Sequence, residues 1–206
     1  MLANEQDNGV AHVNNSNGLK TTITSEEVNN LPLKAFEGKI VLIDQVAKLE
    51  KALQEMSKHD VVGFDTETRP SFKKGQHYKV ALLQLAIESK VFLIRLNHTG
   101  ITDELTAFFE NEGVIKAGVG IRDDLQALQK LKRFHPAGFE DLATISKKSG
   151  LQVESVKKLT ALLLGFRISK SAQTSNWETT TLSEKQLEYA ATDAWVCLQI
   201  YKKLVV

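Results

Sequence analysis

The sequence predicts an α/β protein, a mixed β-sheet flanked by α-helices with a C-terminal half that is almost wholly helical. Three observations predict it. Short apolar runs bounded by turn residues, as strands require, crowd into the chain up to Val119. Beyond that point apolar residues recur at helical spacing. The stretch 183–204 then carries the clearest helix start in the chain: Ser183 and Gln186 form a capping box, and Leu182 with Leu187 a hydrophobic staple.

The elements follow in order. Residues 1–22, rich in Asn, Gly and Ser with no apolar period, are expected to form a flexible tail, and 23–206 a single domain. KIVLID (39–44) reads as a strand. Asp44 stands where it would cap a helix carrying Val46, Leu49, Leu53 and Met56 on one face. VVGFDTE (61–67), VALLQLAI (80–87) and VFLIRL (91–96) are strands, the second apolar enough to be central. Residues 103–112 form a short helix stopped by Gly113 in a C′ position. VIKAGV (114–119) is a strand that runs into a helix from about Arg122 to Lys132. Helices over about 140–149, 155–164 and 183–204 complete the chain. The whole is a sheet covered by helices.

Composition sets outer bounds. The chain has 206 residues, 42% of them apolar and 25% charged, as in an ordinary globular domain. No run of 18 apolar residues predicts a membrane span, and the N-terminus shows neither the basic nor the apolar region of a secretion signal. The single cysteine, Cys197, excludes an intramolecular disulfide, and a cytoplasmic location is expected. The net charge of +1 says little about partners, but local charge is uneven. From Arg69 to Lys79 the cations Arg69, Lys73, Lys74 and Lys79 meet no acid. From Lys147 to Lys170 six cations meet only Glu154.

Four carboxylates stand out against this background. Alternation along 61–67 puts Gly63, Asp65 and Glu67 on one face and Phe64 and Thr66 on the other. Two acids side by side at the end of an apolar strand either point into water or require a cation, because mutual repulsion and desolvation are costly. On the last helix, about 100° per residue places Asp193 and Tyr189 in the apolar arc, one turn apart. The opposite arc holds Glu184, Lys185, Glu188, Thr192, Gln199, Lys202 and Lys203, with Trp195 an unexplained apolar member. A buried aspartate must be paired, hydrogen-bonded or metal-bound. On the helix after Val119, Ile121, Leu125, Leu128 and Leu131 form the buried stripe. Asp124 lies about 45° from its centre and Asp123 about 145° away. Asp123 therefore reads as an ordinary charge at a helix N-terminus. An all-oxygen set of this kind suits Mg²⁺ or Mn²⁺. The histidine and cysteine spacing of a zinc site is absent, as are a phosphate-binding GxxxxGK[ST] loop and a GxSxG elbow.

The order FDTET (64–68), KAGVGIRDDL (116–125) and YAATDAW (189–195) resembles the three motifs of the DEDD exonucleases. More narrowly, it is similar to the Werner-syndrome exonuclease domain and the ribonuclease D group. The similarity spans about residues 36–206 and includes KVALLQLAI and LLGFRISKSAQTSNW. It implies a ribonuclease H-like fold and a 3′-5′ exonuclease that cuts phosphodiester bonds at DNA or RNA 3′ ends with two divalent ions, Mg²⁺ or Mn²⁺. In that scheme Asp65 bridges both ions, Glu67 and Asp193 complete the shell of the first, and Asp124 holds the second. Tyr189 matches the tyrosine of the "DEDDy" branch and positions the attacking water. Candidate substrate contacts are Thr66, Lys73, Lys74, Arg167, Lys170 and Trp177.

Two rival readings remain. A binding module of the same fold with weak catalysis would keep the nucleic acid and lose turnover. An aspartyl-phosphate phosphatase is suggested by FDTET, but Glu67 stands where that chemistry needs a second Asp.

Overall fold

The computed structural model describes residues 20–205 apart from Lys74. Six strands build one mixed sheet: β1 (Lys39–Ile43), β2 (Val61–Thr68), β3 (Val80–Ile87), β4 (Lys90–Arg95), β5 (Ile115–Gly118) and β6 (Phe139–Asp141). Their order is β1-β4-β3-β2-β5-β6. Strand β3 runs antiparallel to both β2 and β4, whereas β1 on β4, β5 on β2 and β6 on β5 are parallel. Strand β3 is central and buried along its whole length, as its unbroken apolar run predicts. Strand β6 lies inside a segment expected to begin a helix. Three residues are too few to show a period of two, and only pairing with β5 makes them a strand.

Helices cover both faces. Beneath the sheet, α2 (Val46–Met56), α4 (Asp103–Phe109) and α5 (Arg122–Leu131) bury Leu49, Leu53, Met56, Phe108 and Leu128 against Phe64, Leu83 and Leu85. On the other face lies α8 (Glu184–Val205). Its Ala190, Ala191 and Ala194 pack on Leu82, Ala86, Val91 and Leu93, and its Val196, Cys197 and Ile200 join a second cluster. That cluster is closed by α1 (Ser25–Asn30), α6 (Leu142–Lys148) and α7 (Val156–Leu159). The single turn α3 (Leu96–Thr99) follows β4. No helix among the described residues is long and apolar enough to cross a membrane.

Several local expectations are met. Gln186 N–H donates to Ser183 Oγ at 3.3 Å and Ser183 N–H to Gln186 Oε1 at 3.0 Å, which is the capping box. Leu182 and Leu187 fall in one apolar cluster, as the staple requires. Others change. Gln45, not Asp44, is the N-cap of α2, and it caps without a side-chain bond. Asp44 instead accepts from Lys48 Nζ at 2.8 Å. Gly113 is not a C′ residue: α4 ends at Phe109, and Gly113 N–H donates to Asn111 Oδ1 at 2.9 Å. The expected helix over 155–164 divides into α7 and a π-helical turn, Thr160–Leu164.

The expected tail over 1–22 falls outside the described residues up to position 19. From there inward the chain is engaged. Thr21 O accepts from Gln152 N–H at 2.9 Å, Ile23 is buried, and Thr24 with Glu27 caps α1 by a capping box. Phe36 N–H donates to Thr192 Oγ1 at 3.0 Å. Thr192, placed by the helical wheel on the polar arc, is therefore buried, and its hydroxyl also donates to Glu188 O. Trp195 lies between Phe36 and Phe166, with ring centroids 5.9 and 5.8 Å away. Phe36 and Phe166 thus cover the one apolar residue of that arc.

Candidate active site

Each acid reaches the site for a local reason. Asp65 and Glu67 alternate with Thr66 on β2 and share a face with Gly63. A Cβ on Gly63 would lie 1.9 Å from Ala194 O, so only glycine lets the α8 backbone rest on this strand. Ala194 follows Asp193, and this contact therefore sets the level of Asp193 against Asp65. A register shift between Glu67 and Thr68 marks a bulge at the end of the strand, next to the acids.

The start of α8 is anchored independently. Gln186 Nε2 donates to Asn176 O at 3.2 Å, and the buried Arg95 guanidinium donates to the carbonyls of Thr179 and Thr180. Tyr189 follows one turn before Asp193. It is buried, its ring 6.1 Å from that of Trp177. Asp124 arrives from the other face. Gly120, at φ +69°, turns β5 into α5 and donates its N–H to Asp141 Oδ1 at 2.9 Å. Asp124 is then half-buried and Asp123 exposed, as the helical wheel separates them.

Asp65, Glu67 and Asp193 each bring a carboxylate oxygen within 4.8 Å of the other two. Asp124 stands beside this trio, held by a hydrogen bond from the Thr66 hydroxyl. Asp65 Oδ1 accepts from Thr66 N–H at 3.0 Å. Burial, then the charges of Asp193 and Asp124, push the Asp65 carboxyl well above the usual range. Burial and the neighbouring acids push Glu67 up to about 10. Burial raises Asp193 to about 7, opposed by a hydrogen bond from Tyr189 and the charge of Lys170. Burial and the same acids push the Tyr189 hydroxyl up, so it stays protonated. The donors of the cluster are all carboxylate oxygens, with no His or Cys among them, which fits a hard divalent cation.

The candidate substrate residues divide. Lys170 is exposed, and its charge reaches Asp193. Lys73 is exposed in the loop after β2, while Lys74 lies outside the described residues. Thr66 is committed to Asp124. Arg167 is drawn into the backbone: its Nε donates to Leu31 O at 3.1 Å, its N–H to Pro32 O at 2.9 Å, and Leu33 bridges it. Trp177 is fully buried, so it offers no face to a base.

The basic loop after β2 nevertheless meets the stretch that follows Lys170. One groove is walled by Arg69, Phe72, Lys73 and Tyr78 on one side and by Thr174 and Asn176 on the other, and Arg69 reaches Glu178 at 3.4 Å. Phe72, absent from the sequence reading, is 86% exposed there. Its signal was an aromatic residue flanked by cations. Gln84 was also missed, although a glutamine inside VALLQLAI is conspicuous, and it is completely buried.

A family model described as 3′-5′ exonuclease matches residues 40–206. The chain belongs to the 3′-5′ exonuclease family. It is 34% identical over 186 residues to the bifunctional 3′-5′ exonuclease/ATP-dependent helicase WRN of Mus musculus, covering 85% of this chain and 13% of that protein. It is 31% identical over 196 residues to a 3′-5′ exonuclease of Arabidopsis thaliana, covering 85% of this chain and 66% of that one. The chain thus spans a small part of the first relative and about two thirds of the second. Among solved structures, the Nibbler EXO domain of Aedes aegypti is similar with a TM-score of 0.73 at 25% identity, covering 83% of this chain and 90% of that one. RNase D of Escherichia coli shares the fold with a TM-score of 0.74 at 21% identity, covering 81% and 44%. The sheet is the ribonuclease H-like one that the motifs imply.

Proposed function

We propose that the protein is a 3′-5′ exonuclease that hydrolyses phosphodiester bonds at DNA or RNA 3′ ends and releases nucleoside 5′-monophosphates. One observation carries the reading: in a member of this family, the carboxylates of Asp65, Glu67 and Asp193 converge within 4.8 Å, with Asp124 beside them. These four acids would hold two divalent ions, Mg²⁺ or Mn²⁺. When bound, the ions would supply Lewis acidity that favours ionisation of a water and offsets charge on the phosphate and the leaving 3′ oxygen.

The remaining work falls to the chain itself. Tyr189, protonated beside Asp193, orients the attacking water by a hydrogen bond and does not act as a base. Lys170, whose charge acts on Asp193, would offset phosphate charge. Lys73 lines the groove beyond β2, where Phe72 offers a ring to an unpaired base. Trypanosoma brucei RNase D, which shares this fold with a TM-score of 0.72 at 20% identity, was solved in complex with RNA U12. Glu67 belongs to the acid cluster, which leaves the phosphatase reading without its second Asp. A lone, buried Cys197 agrees with residence in the cytoplasm, which fractionation of the tagged protein would check.

The test is a 5′-labelled oligonucleotide incubated with purified protein. With Mg²⁺ or Mn²⁺ it should shorten to a ladder; in EDTA it should stay intact. Ca²⁺ should bind and support little turnover, because its larger, looser shell misplaces the water. Full activity in EDTA would end the two-ion account, and binding without shortening in Mn²⁺ would establish the weakly catalytic module instead.

A further inference from the structure

The sheet face that carries the acids also carries polar atoms that the packing leaves unsatisfied. Among the described residues, four buried side-chain atoms have no hydrogen-bond partner: both amide atoms of Gln84, Nε of Arg95 and Nε1 of Trp177. They share one layer. Gln84 lies opposite Asp65 in the β2–β3 register and opposite Leu93 in β3–β4, and Leu93 packs under α8. Arg95 lies opposite Leu82 of the same cluster, and Trp177 packs on Tyr189.

Two of the three residues have another reason to be there. The other nitrogens of Arg95 hold the carbonyls of Thr179 and Thr180. The ring of Trp177 supports Tyr189. Gln84 has no such contact. A leucine would fill the place without a polar penalty, as Leu82 and Leu93 do on the same face. A buried amide with no partner in a native fold calls for an explanation, and a bound water or a functional group is the usual one.

Its position supplies that explanation. Directly opposed residues in an antiparallel pair hold their Cβ atoms about 4.5–5.5 Å apart on one face, so the Gln84 and Asp65 side chains rise from the sheet as neighbours. Asp65 stands at the centre of the acid cluster, and its Oδ1 already accepts from Thr66 N–H. A carboxylate that faces cations needs donors behind it to fix its oxygens.

We propose that Gln84 is a positioning residue for the acid cluster. Its amide N–H donates to the Asp65 carboxylate through one bound water, and holds it toward Glu67 and Asp193. The inference rests on the two-ion reading and concerns the affinity of the site more than the chemical step.

The experiment is a Mn²⁺ titration of the full chain followed by thermal melting, with Gln84→Met as an apolar residue of matching length. The metal-free melt should equal or exceed that of the unchanged protein. The Mn²⁺ concentration at half-maximal shift should rise about 10–100-fold, the usual cost of losing a hydrogen bond behind a ligand. Turnover at saturating Mn²⁺ should fall much less than affinity does. Gln84→Asn keeps the donor one methylene shorter and should lie between the two, and it decides the matter if Gln84→Met fails to fold. An unchanged midpoint in either folded variant would make Gln84 a core residue and overturn the proposal. If the unchanged protein shows no Mn²⁺-dependent shift at all, the two-ion reading fails first and the role of Gln84 falls with it.

Discussion

Asp123 and Asp124 carry the same charge in the same first helical turn, and differ only in where they point. Both gain similar interaction with the dipole of α5, about 0.3–1 kcal/mol at an exposed site, so charge alone cannot separate them. Geometry does: Asp123 is exposed, while Asp124 is half-buried under the Thr66 hydroxyl. Asp124→Asn keeps the size and removes the anionic oxygen. Its single-turnover rate at saturating Mg²⁺ should fall by orders of magnitude, whereas Asp123→Asn should stay within a few-fold. The opposite ranking would mean that the helix register assigned to α5 is wrong.

At the scale of elements, the site depends on how closely α8 lies on β2. Gly63→Ala would place a methyl 1.9 Å from Ala194 O, and α8 must move away from Asp65. Overpacking of this kind costs about 1–3 kcal/mol, and turnover should drop with stability because Asp193 moves with the helix. Gly113→Ala, whose nearest neighbour would be a side-chain oxygen at 3.1 Å, is the control and should change neither. Urea melts and ladder assays on both variants give the comparison.

A second link between elements carries a pH signature. Lys116 on β5 is fully buried, and its ammonium donates to Asn111 O at 2.7 Å and Phe108 O at 3.3 Å, where α4 ends. Burial lowers it from 10.5 to about 8. The folded value lies below the unfolded one, so between these limits the unfolded chain holds the extra proton. The contribution of this group to stability therefore rises with pH across that window and is lost as pH falls through about 8. Lys116→Met should lose this slope. Urea melts at the two ends of the window should differ less in the variant than in the unchanged protein, and an equal slope would place the titration elsewhere.

Across the whole molecule, the acid cluster sets stability against function. Three carboxylates that repel one another, Asp193 buried and Asp65 and Glu67 half-buried, weaken the metal-free fold, and ions that bound only the folded state would restore it. Mn²⁺ should raise the melting temperature in a concentration-dependent way, stabilising the fold by about 2.7 kcal/mol at 100 times its Kd. Asp193→Asn should melt at or above the unchanged protein in EDTA, and should lose both this rise and turnover. A variant strongly destabilised in EDTA yet active with Mn²⁺ would make Asp193 structural.

What the sequence by itself determined was local and periodic. The capping box of Ser183 and Gln186, the alternation of Asp65 and Glu67 with Thr66, and the wheel that turns Asp193 inward and Asp123 outward all rest on neighbours within a few residues. Motif order then gave the family. What only the tertiary structure decided depends on partners far along the chain. Arg167, read as a substrate contact, is held by Leu31 and Pro32, and Trp177 is buried under Tyr189. Thr192 leaves the polar arc because Phe36 donates to it across 156 residues. Strand β6 exists only beside β5, and Gly63 matters only because Ala194 lies against it. A periodic pattern reports which side of an element is buried, but not what buries it, since the free energy of those contacts belongs to pairs that adjacent residues do not encode.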